Sequence, residues 1–261
     1  MDSHFFRKRS LTIVAGALLL IFLNILAGGC VGFDFGAAIM DIPGGIVWLL
    51  TNFVPSAESL DKLGPILSSL WTTVLIAVAS SSVAALLAYF FAVLGSRSVG
   101  LGGPFPVLVR GIASLFRNIP IVAWAFILLF SFKQSEFTGF LALFLASFGY
   151  LTRCYLECID EVSGGPVEAL RSTGASYLQI VAQAVVPLSI TSAISWVLYI
   201  IETNIRDATL IGILTGTGIG FVFDIYYKSF AYDTAGLVIA CIVVAVIACE
   251  IISNYVRRQM I

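Results

Sequence analysis

Charge is scarce in this chain. Asp, Glu, Lys and Arg make up 11% of its 261 residues, against about 25% in soluble globular proteins. So little charge excludes an ordinary water-soluble domain. It also excludes a disordered chain, which needs low hydrophobicity and high net charge. A net charge of −1 leaves no basic excess for a nucleic-acid binder. Histidine is scarcer still: His4 is the single one, so neither a Ser/His/Asp triad within the apolar body nor a His-Glu-x-x-His metal motif can be built. The five cysteines (Cys30, Cys154, Cys158, Cys241 and Cys249) show no spacing of a disulfide scaffold. Cys154 and Cys158 are four apart, yet a Cys/His zinc site lacks its remaining ligands; the cysteines read as buried small apolar side chains. None of Lys8, Lys62, Lys133 and Lys228 stands in a Gly-x-x-x-x-Gly-Lys-Ser/Thr sequence, so the chain holds no nucleotide in a P-loop and binds no cofactor of its own. The internal repeats common in secondary carriers are also missing.

Apolar length is what the chain has. Hydrophobic residues reach 59% and mean hydropathy is +1.03. Six stretches reach or approach the roughly 20 apolar residues that cross a bilayer as a helix: about 11–31, 67–94, 112–132, 137–152, 188–214 and 235–256. The fourth is short, and the third and fifth contain charges, each costing about 2.5–3.5 kcal/mol at mid-helix. With the N-terminus inside, nine basic residues face the cytoplasm: Arg7, Lys8, Arg9, Arg97, Arg110, Arg153, Arg171, Arg257 and Arg258. Lys62, Lys133 and Lys228 lie outside, and Arg117 and Arg206 sit within spans. That asymmetry places both termini in the cytoplasm. The segment from 33 to 66, with Asp34, Asp41, Glu58 and Asp61, reads as translocated outward. The start also resembles a signal peptide, but Leu26 stands four residues before Cys30 where a lipoprotein signal needs three, so 11–31 reads as a retained first membrane helix. The expected fold is an all-α integral membrane protein of about six transmembrane helices. Residues 1–66 form an N-terminal helix plus external segment, and 67–261 a transmembrane domain.

The polar interval from 153 to 187 has its own helix punctuation. Ser163-Gly164-Gly165-Pro166 reads as a stop followed by a proline suited to a first helical turn, and Gly174 as a left-handed stop, giving a short helix over about 166–173. Ser176 with Gln179 is a capping-box pattern that starts a second helix running to Pro187. Glu168-Ala169-Leu170, Gly174 and Ala184-Val185-Val186-Pro187 resemble the cytoplasmic Glu-Ala-Ala loop of ABC importer permeases, with Leu170, Ala184 and Val186 departing from its Ala, Ile and Leu. The resemblance implies a coupling helix between membrane helices 4 and 5. Pro166, Glu168, Ala169, Arg171, Gly174 and Pro187 would then belong to the loop that docks on an ATPase subunit. A solvated amphipathic loop helix is the alternative.

Arg117-Asn118-Ile119-Pro120, the 165–175 segment and Glu202-Thr203-Asn204-Ile205-Arg206-Asp207-Ala208-Thr209 narrow the resemblance to phosphonate transport permeases over about 65–261. Thr215, Gly216 and Thr217 depart from that family's glycine-rich continuation. In the fifth span Glu202 and Arg206 are i, i+4 and can pair, with Asn204 and Asp207 nearby. At about 1.5 Å per residue from Pro187 they fall toward the outer leaflet. Two readings stand for them: a self-satisfied ion pair, or a path element in which Arg206 offers charge to a passing anion while Glu202 holds it. Four glycines within 212–220, among them Gly216, Gly218 and Gly220, predict a bend or gate. In the third span Pro120 predicts a kink at Ile119 or a helix start capped by Asn118, and the N–H groups gathered near Arg117 favour anions. Arg117 snorkelling to headgroups is the other reading. Serines and threonines at 68, 69, 72, 73, 80, 81 and 82 suit helix packing or a pore face equally.

The resemblance implies a bacterial inner-membrane permease for a phosphonate or related phosphorus oxyanion such as phosphite or a phosphate ester. It would work with two ATP-binding-cassette ATPase subunits carrying Mg-ATP, a second permease chain (identical or homologous) and an external solute-binding protein. The rivals are an importer of the same build for another small solute, such as an amino acid, and an ATP-independent carrier or membrane assembly factor.

Overall fold

A computed structural model describes the backbone of residues 3–260 and the side chains of 9–260. His4, Arg7 and Lys8 therefore lie outside the described side chains. The chain divides into two compact units, Met1–Asn52 and Phe53–Ile261.

In the first unit α1 (Ser3–Val31) is followed by α2 (Phe35–Asn52). Asp34 Oδ1 accepts from the N–H groups of Gly36 and Ala37 at 2.8 and 3.1 Å, which satisfies first-turn donors and starts α2. The expected external segment thus begins with an 18-residue helix long and apolar enough to cross a membrane itself. Its apolar run from Ile46 to Leu50 outweighs the low helix propensity of Pro43, Gly44 and Gly45. Among the described residues six helices meet the length and hydropathy of a span, and a bent pair brings the number to seven.

The second unit contains α3 (Ala57–Leu60), α4 (Leu63–Gly95), α5 (Phe105–Asn118), α6 (Ile121–Phe132), α7 (Glu136–Ser172), α8 (Tyr177–Ile180), α9 (Val186–Thr215), α10 (Gly218–Lys228) and α11 (Tyr232–Met260). One π-helical turn, Val181–Val185, joins α8 to α9. No strand occurs among the described residues. Helices α4, α7 and α9 form the core, where Ala84, Ala88 and Ala92 of α4 meet Leu151, Tyr155, Leu156 and Ile159 of α7 and Ala193 and Ile200 of α9. Alanine on α4 brings the helix axes close, which is how dispersion holds helices together in lipid. Within the small polar stripe, Thr73, Ser80 and Ser81 are buried, so there it serves packing.

Asn204 joins all three helices. Its Nδ2 donates to Ser81 Oγ at 2.8 Å and to Ser147 Oγ at 2.7 Å. Interhelical hydrogen bonds in membranes average about 0.6 kcal/mol each, so Asn204→Leu should cost about 1–2 kcal/mol once the stranded hydroxyls are included. Unfolding in mild detergent by added sodium dodecyl sulfate measures this, and a variant as stable as the parent would remove the bridge from the core's account.

Sequence punctuation failed in α7. The helix runs 37 residues, straight through Ser163-Gly164-Gly165-Pro166, with no separate helix starting at 166. Ile159, Ser163 and Val167, at i, i+4 and i+8, are all buried against the core, while Gly164, Gly165 and Pro166 face outward. Packing of one face outweighs weak propensity on the other. The third span, by contrast, breaks sharply: α5 and α6 meet at 90°. Ile119, before Pro120, is extended, as its position demands. Asn118 does not cap α6; its Nδ2 turns back to Ser114 Oγ at 3.2 Å, and no side chain caps the helix. The corner is braced by Trp124, whose ring stacks on Phe116 at 5.3 Å and whose indole N–H donates to the Phe116 carbonyl at 3.4 Å.

Candidate functional site

Two surfaces carry the residues singled out by sequence. One is the end of α7 and the turn after it. Val167 anchors the helix, and Pro166, Glu168, Ala169 and Arg171 project from its open side. Gly174 adopts φ +81, the left-handed stop its position predicts. Beyond it the Ser176 N–H donates to Gln179 Oε1 at 2.8 Å, completing a capping box. Leu178 is 76% exposed. Pro187 follows the π-helical turn within the continuous Tyr177–Thr215 helix, and that turn accommodates its missing N–H. The segment is an open, rigidly punctuated knob with an anion at Glu168, a cation at Arg171 and an apolar contact at Leu178.

The other surface is the open side of α9. Arg206 Nη2 donates to Glu202 Oε1 at 3.2 Å, and Arg257 of α11 approaches the other carboxylate oxygen at 3.9 Å. Two guanidinium groups stand against the Glu202 carboxylate, and Asp207, within electrostatic reach of Arg206, balances the second. Arg206 is half exposed whereas the Glu202 side chain is 13% exposed, so the carboxylate is covered and the open side of the cluster is cationic. Arg257 Nε and Nη2 are buried with no hydrogen-bond partner. Asn204, grouped with these residues by sequence, points the other way into the core. Tyr199, Thr203, Arg206 and Leu210, at helical spacing, share the exposed face.

Next to it is an aromatic wall that sequence reasoning did not assemble. The ring centroids of Tyr150, Trp196 and Tyr199 are 6.0, 6.3 and 5.9 Å apart. Arg117, exposed at the α5–α6 corner, lies within electrostatic reach of Tyr150 and Cys154. The backbone of Arg117 reaches that position because Gly149 of α7 has no side chain: a Cβ there would stand 2.6 Å from the Arg117 amide nitrogen. Arg117 therefore borders an aromatic surface built from α7 and α9, and Arg206 lies about two turns along α9 from Tyr199.

The Tyr155 hydroxyl donates to the Ala193 carbonyl at 3.3 Å. Glu202 and Arg206 flank Asn204 on α9 and so stand level with Ser81 of α4 and Ser147 of α7.

At the other end of α9, Gly216 and Gly218 adopt φ +67 and +62 and turn the chain into α10. Ile219 N–H donates to Thr73 Oγ1 at 2.8 Å, pinning the turn to α4. Gly212 and Gly220 stay helical and face each other across the α9–α10 contact. The expected bend is thus confined to 216–218. The cysteines are free; Cys30 is exposed and the other four partly so, which corrects their reading as buried. Among the described residues no group of His, Cys, Asp and Glu could hold a metal.

A bundle of apolar helices with a broken third span, a turn inside the α9–α10 pair and an open knob on its longest helices defines a multi-pass membrane protein. The chain belongs to the binding-protein-dependent transport system inner membrane component family, whose model matches residues 84–260. It is 27% identical over 219 residues to the phosphate-import permease protein PhnE of Mycolicibacterium smegmatis, covering 82% of this chain and 40% of that one. The chain thus spans well under half the length of that relative. To the phosphite transport system permease protein PtxC of Stutzerimonas stutzeri it is 26% identical over 191 residues, 72% of this chain and 68% of the relative. Its fold matches a chain of the inward-facing MetNI methionine ABC transporter with a TM-score of 0.67 at 17% identity, over 75% of this chain and 96% of that one.

Proposed function

We propose that the chain is a permease subunit of an ATP-driven importer for a phosphonate or a related phosphorus oxyanion. Relatives that carry phosphate and phosphite in their names support the substrate class. The observation that carries the reading is the open knob at 166–178, where Glu168 and Leu178 are exposed while the helix is anchored at Val167 and Arg171 bonds back to the Ser98 carbonyl. Its partner is an ATP-binding-cassette subunit holding Mg-ATP, one for each of two permease chains; with α2 held at the external face and six spans crossing, both termini share the knob's cytoplasmic side. An external solute-binding protein delivers the anion.

The chain's own part is positional and electrostatic. Arg206, held by Glu202 and left open on one side, presents a guanidinium whose paired N–H groups match a tetrahedral oxyanion. Arg117 presents a second cation at the α5–α6 corner. Between them the aromatic wall tolerates the organic substituent of a phosphonate. The cluster lies in a low-dielectric layer, where charge attraction is stronger than in water.

Affinity purification of the tagged chain from native membranes in mild detergent tests the assembly. A P-loop ATPase should co-purify and be lost on Glu168→Lys, while the folded chain is still recovered. A chain that repeatedly purifies alone would overturn the importer reading in favour of an ATP-independent carrier.

A further inference from the structure

Asp160, in the lower half of α7, binds a part of the chain far from it in sequence. Its Oδ1 accepts from Ser96 Oγ at 2.7 Å and from the Arg97 and Ser98 N–H groups at 2.8 and 3.4 Å. Its Oδ2 accepts from Arg110 Nη2 at 2.5 Å, and both side chains of this ion pair are largely buried. Arg110 Nε is buried without a partner, so Asp160 is the group that compensates this cation. Twelve residues before its end, α7 is thus tied to the turn between α4 and α5 and to α5 itself. A second tie lies at the knob, where Arg171 Nη2 donates to the Ser98 carbonyl at 3.0 Å.

The turn is built to transmit displacement. Ser96 Oγ accepts from the Ser98 and Val99 N–H groups, Gly100 N–H bonds back to the Ser96 carbonyl at 2.9 Å, and Leu101 N–H to the Leu94 carbonyl at 3.1 Å. A Cβ on Gly100 would fall 2.2 Å from the Ser96 carbonyl oxygen, so the coil closes only on glycine. Val99 is buried in the core. From Arg110, α5 continues two turns, about 10 Å, to Arg117 on the same face. There the Phe116–Trp124 brace keeps the corner with α5.

We propose that Asp160 and Arg110 form a lever by which displacement of the knob moves Arg117 against the aromatic wall. In this arrangement Asp160 is a positioning residue for translocation. The inference rests on the reading of the knob as an ATPase contact. It adds that α5, and not α7 and α9 alone, follows the ATPase. Arg171 couples the knob to the same rigid turn, so α5 is held at two points and moves as an arm.

Cys154, partly exposed and within reach of Arg117, is a native reporter of the corner. In the complex purified with its ATPase subunits, the labelling rate of Cys154 by a membrane-impermeant maleimide is read by peptide mass spectrometry, with and without ATP plus vanadate. The parent should show a nucleotide-dependent change of about tenfold, the scale of coupling through such a contact. Asp160→Asn should abolish the change, and Asp160→Glu, which keeps the carboxylate that the turn and Arg110 donate to, should retain most of it. A defect of folding alone would alter both rates and not their ratio. If Asp160→Asn does not assemble, Arg110→Lys keeps the charge, shortens the reach and should reduce the change. A parent whose Cys154 ignores nucleotide, or an Asp160→Asn or Arg110→Lys complex that responds as the parent does, would sink the lever and leave the importer intact. Failure of any ATPase to co-purify would remove the importer reading and the lever with it.

Discussion

Arg206→Gln is expected to reduce uptake of the transported anion by at least about tenfold, the loss that follows when a charge-assisted hydrogen bond is removed. The single substitution has a second effect, because Glu202 is then left with only Arg257 at 3.9 Å. A carboxylate without full compensation costs about 2.5–3.5 kcal/mol at the centre of a bilayer. The double variant Glu202→Gln with Arg206→Gln separates the two effects. Removing both charges of the pair leaves the net charge of the cluster unchanged and gives Arg257 a neutral amide that still accepts, so folding and ATPase assembly should be retained. Uptake should not. Radiolabelled inorganic phosphite and methylphosphonate serve as probes in cells expressing the complete importer. Uptake that returned in the double variant would make Arg206 the partner of Glu202 and nothing more, and would leave the anion path to Arg117.

Gly220→Ala is expected to be among the most damaging single-methyl changes in the described residues. The added Cβ would stand 1.9 Å from the Thr209 carbonyl oxygen and 2.9 Å from the Ile213 amide nitrogen. Those are backbone atoms of α9, which no rotamer change can move aside. Overpacking of a close contact costs about 3 kcal/mol or more when the backbone must shift. The α9–α10 contact would open at the turn that Thr73 pins, so the yield of folded protein in mild detergent should fall and its melting temperature drop. Gly165→Ala provides the contrast. Nothing lies within 4 Å of a Cβ there, and alanine in a helix interior is favoured over glycine by about 1 kcal/mol. A Gly220→Ala protein as stable as the parent would mean that α10 does not sit against α9 as described.

Residues that act within a few positions of one another were legible in the sequence. The left-handed Gly174, the Ser176 capping box, the Glu202–Arg206 pair and the extended residue before Pro120 follow from spacing alone, because each is closed by a bond or a steric clash within one turn of chain. Apolar run length found the candidate spans other than α2 for a similar reason: the bilayer is a solvent that reads each helix separately. The same local reasoning failed at 163–166, where the glycines and the proline suggest a stop. It could not see that Ile159, Ser163 and Val167 are held by another helix.

Other features were beyond any spacing rule. Whether Asn204 joins Arg206 on the open face or turns inward depends on Ser81 and Ser147, on two other helices. Asp160 and Arg110 are 50 residues apart and meet only because α5 folds back along α7, an approach that Gly149 allows. Composition and local pattern determined by themselves that this chain is a membrane-spanning helical protein with a punctuated polar loop. Tertiary structure decided which charges are covered, which remain open and which helices move together, since those outcomes depend on packing between distant segments in a layer where every unpaired polar group is costly.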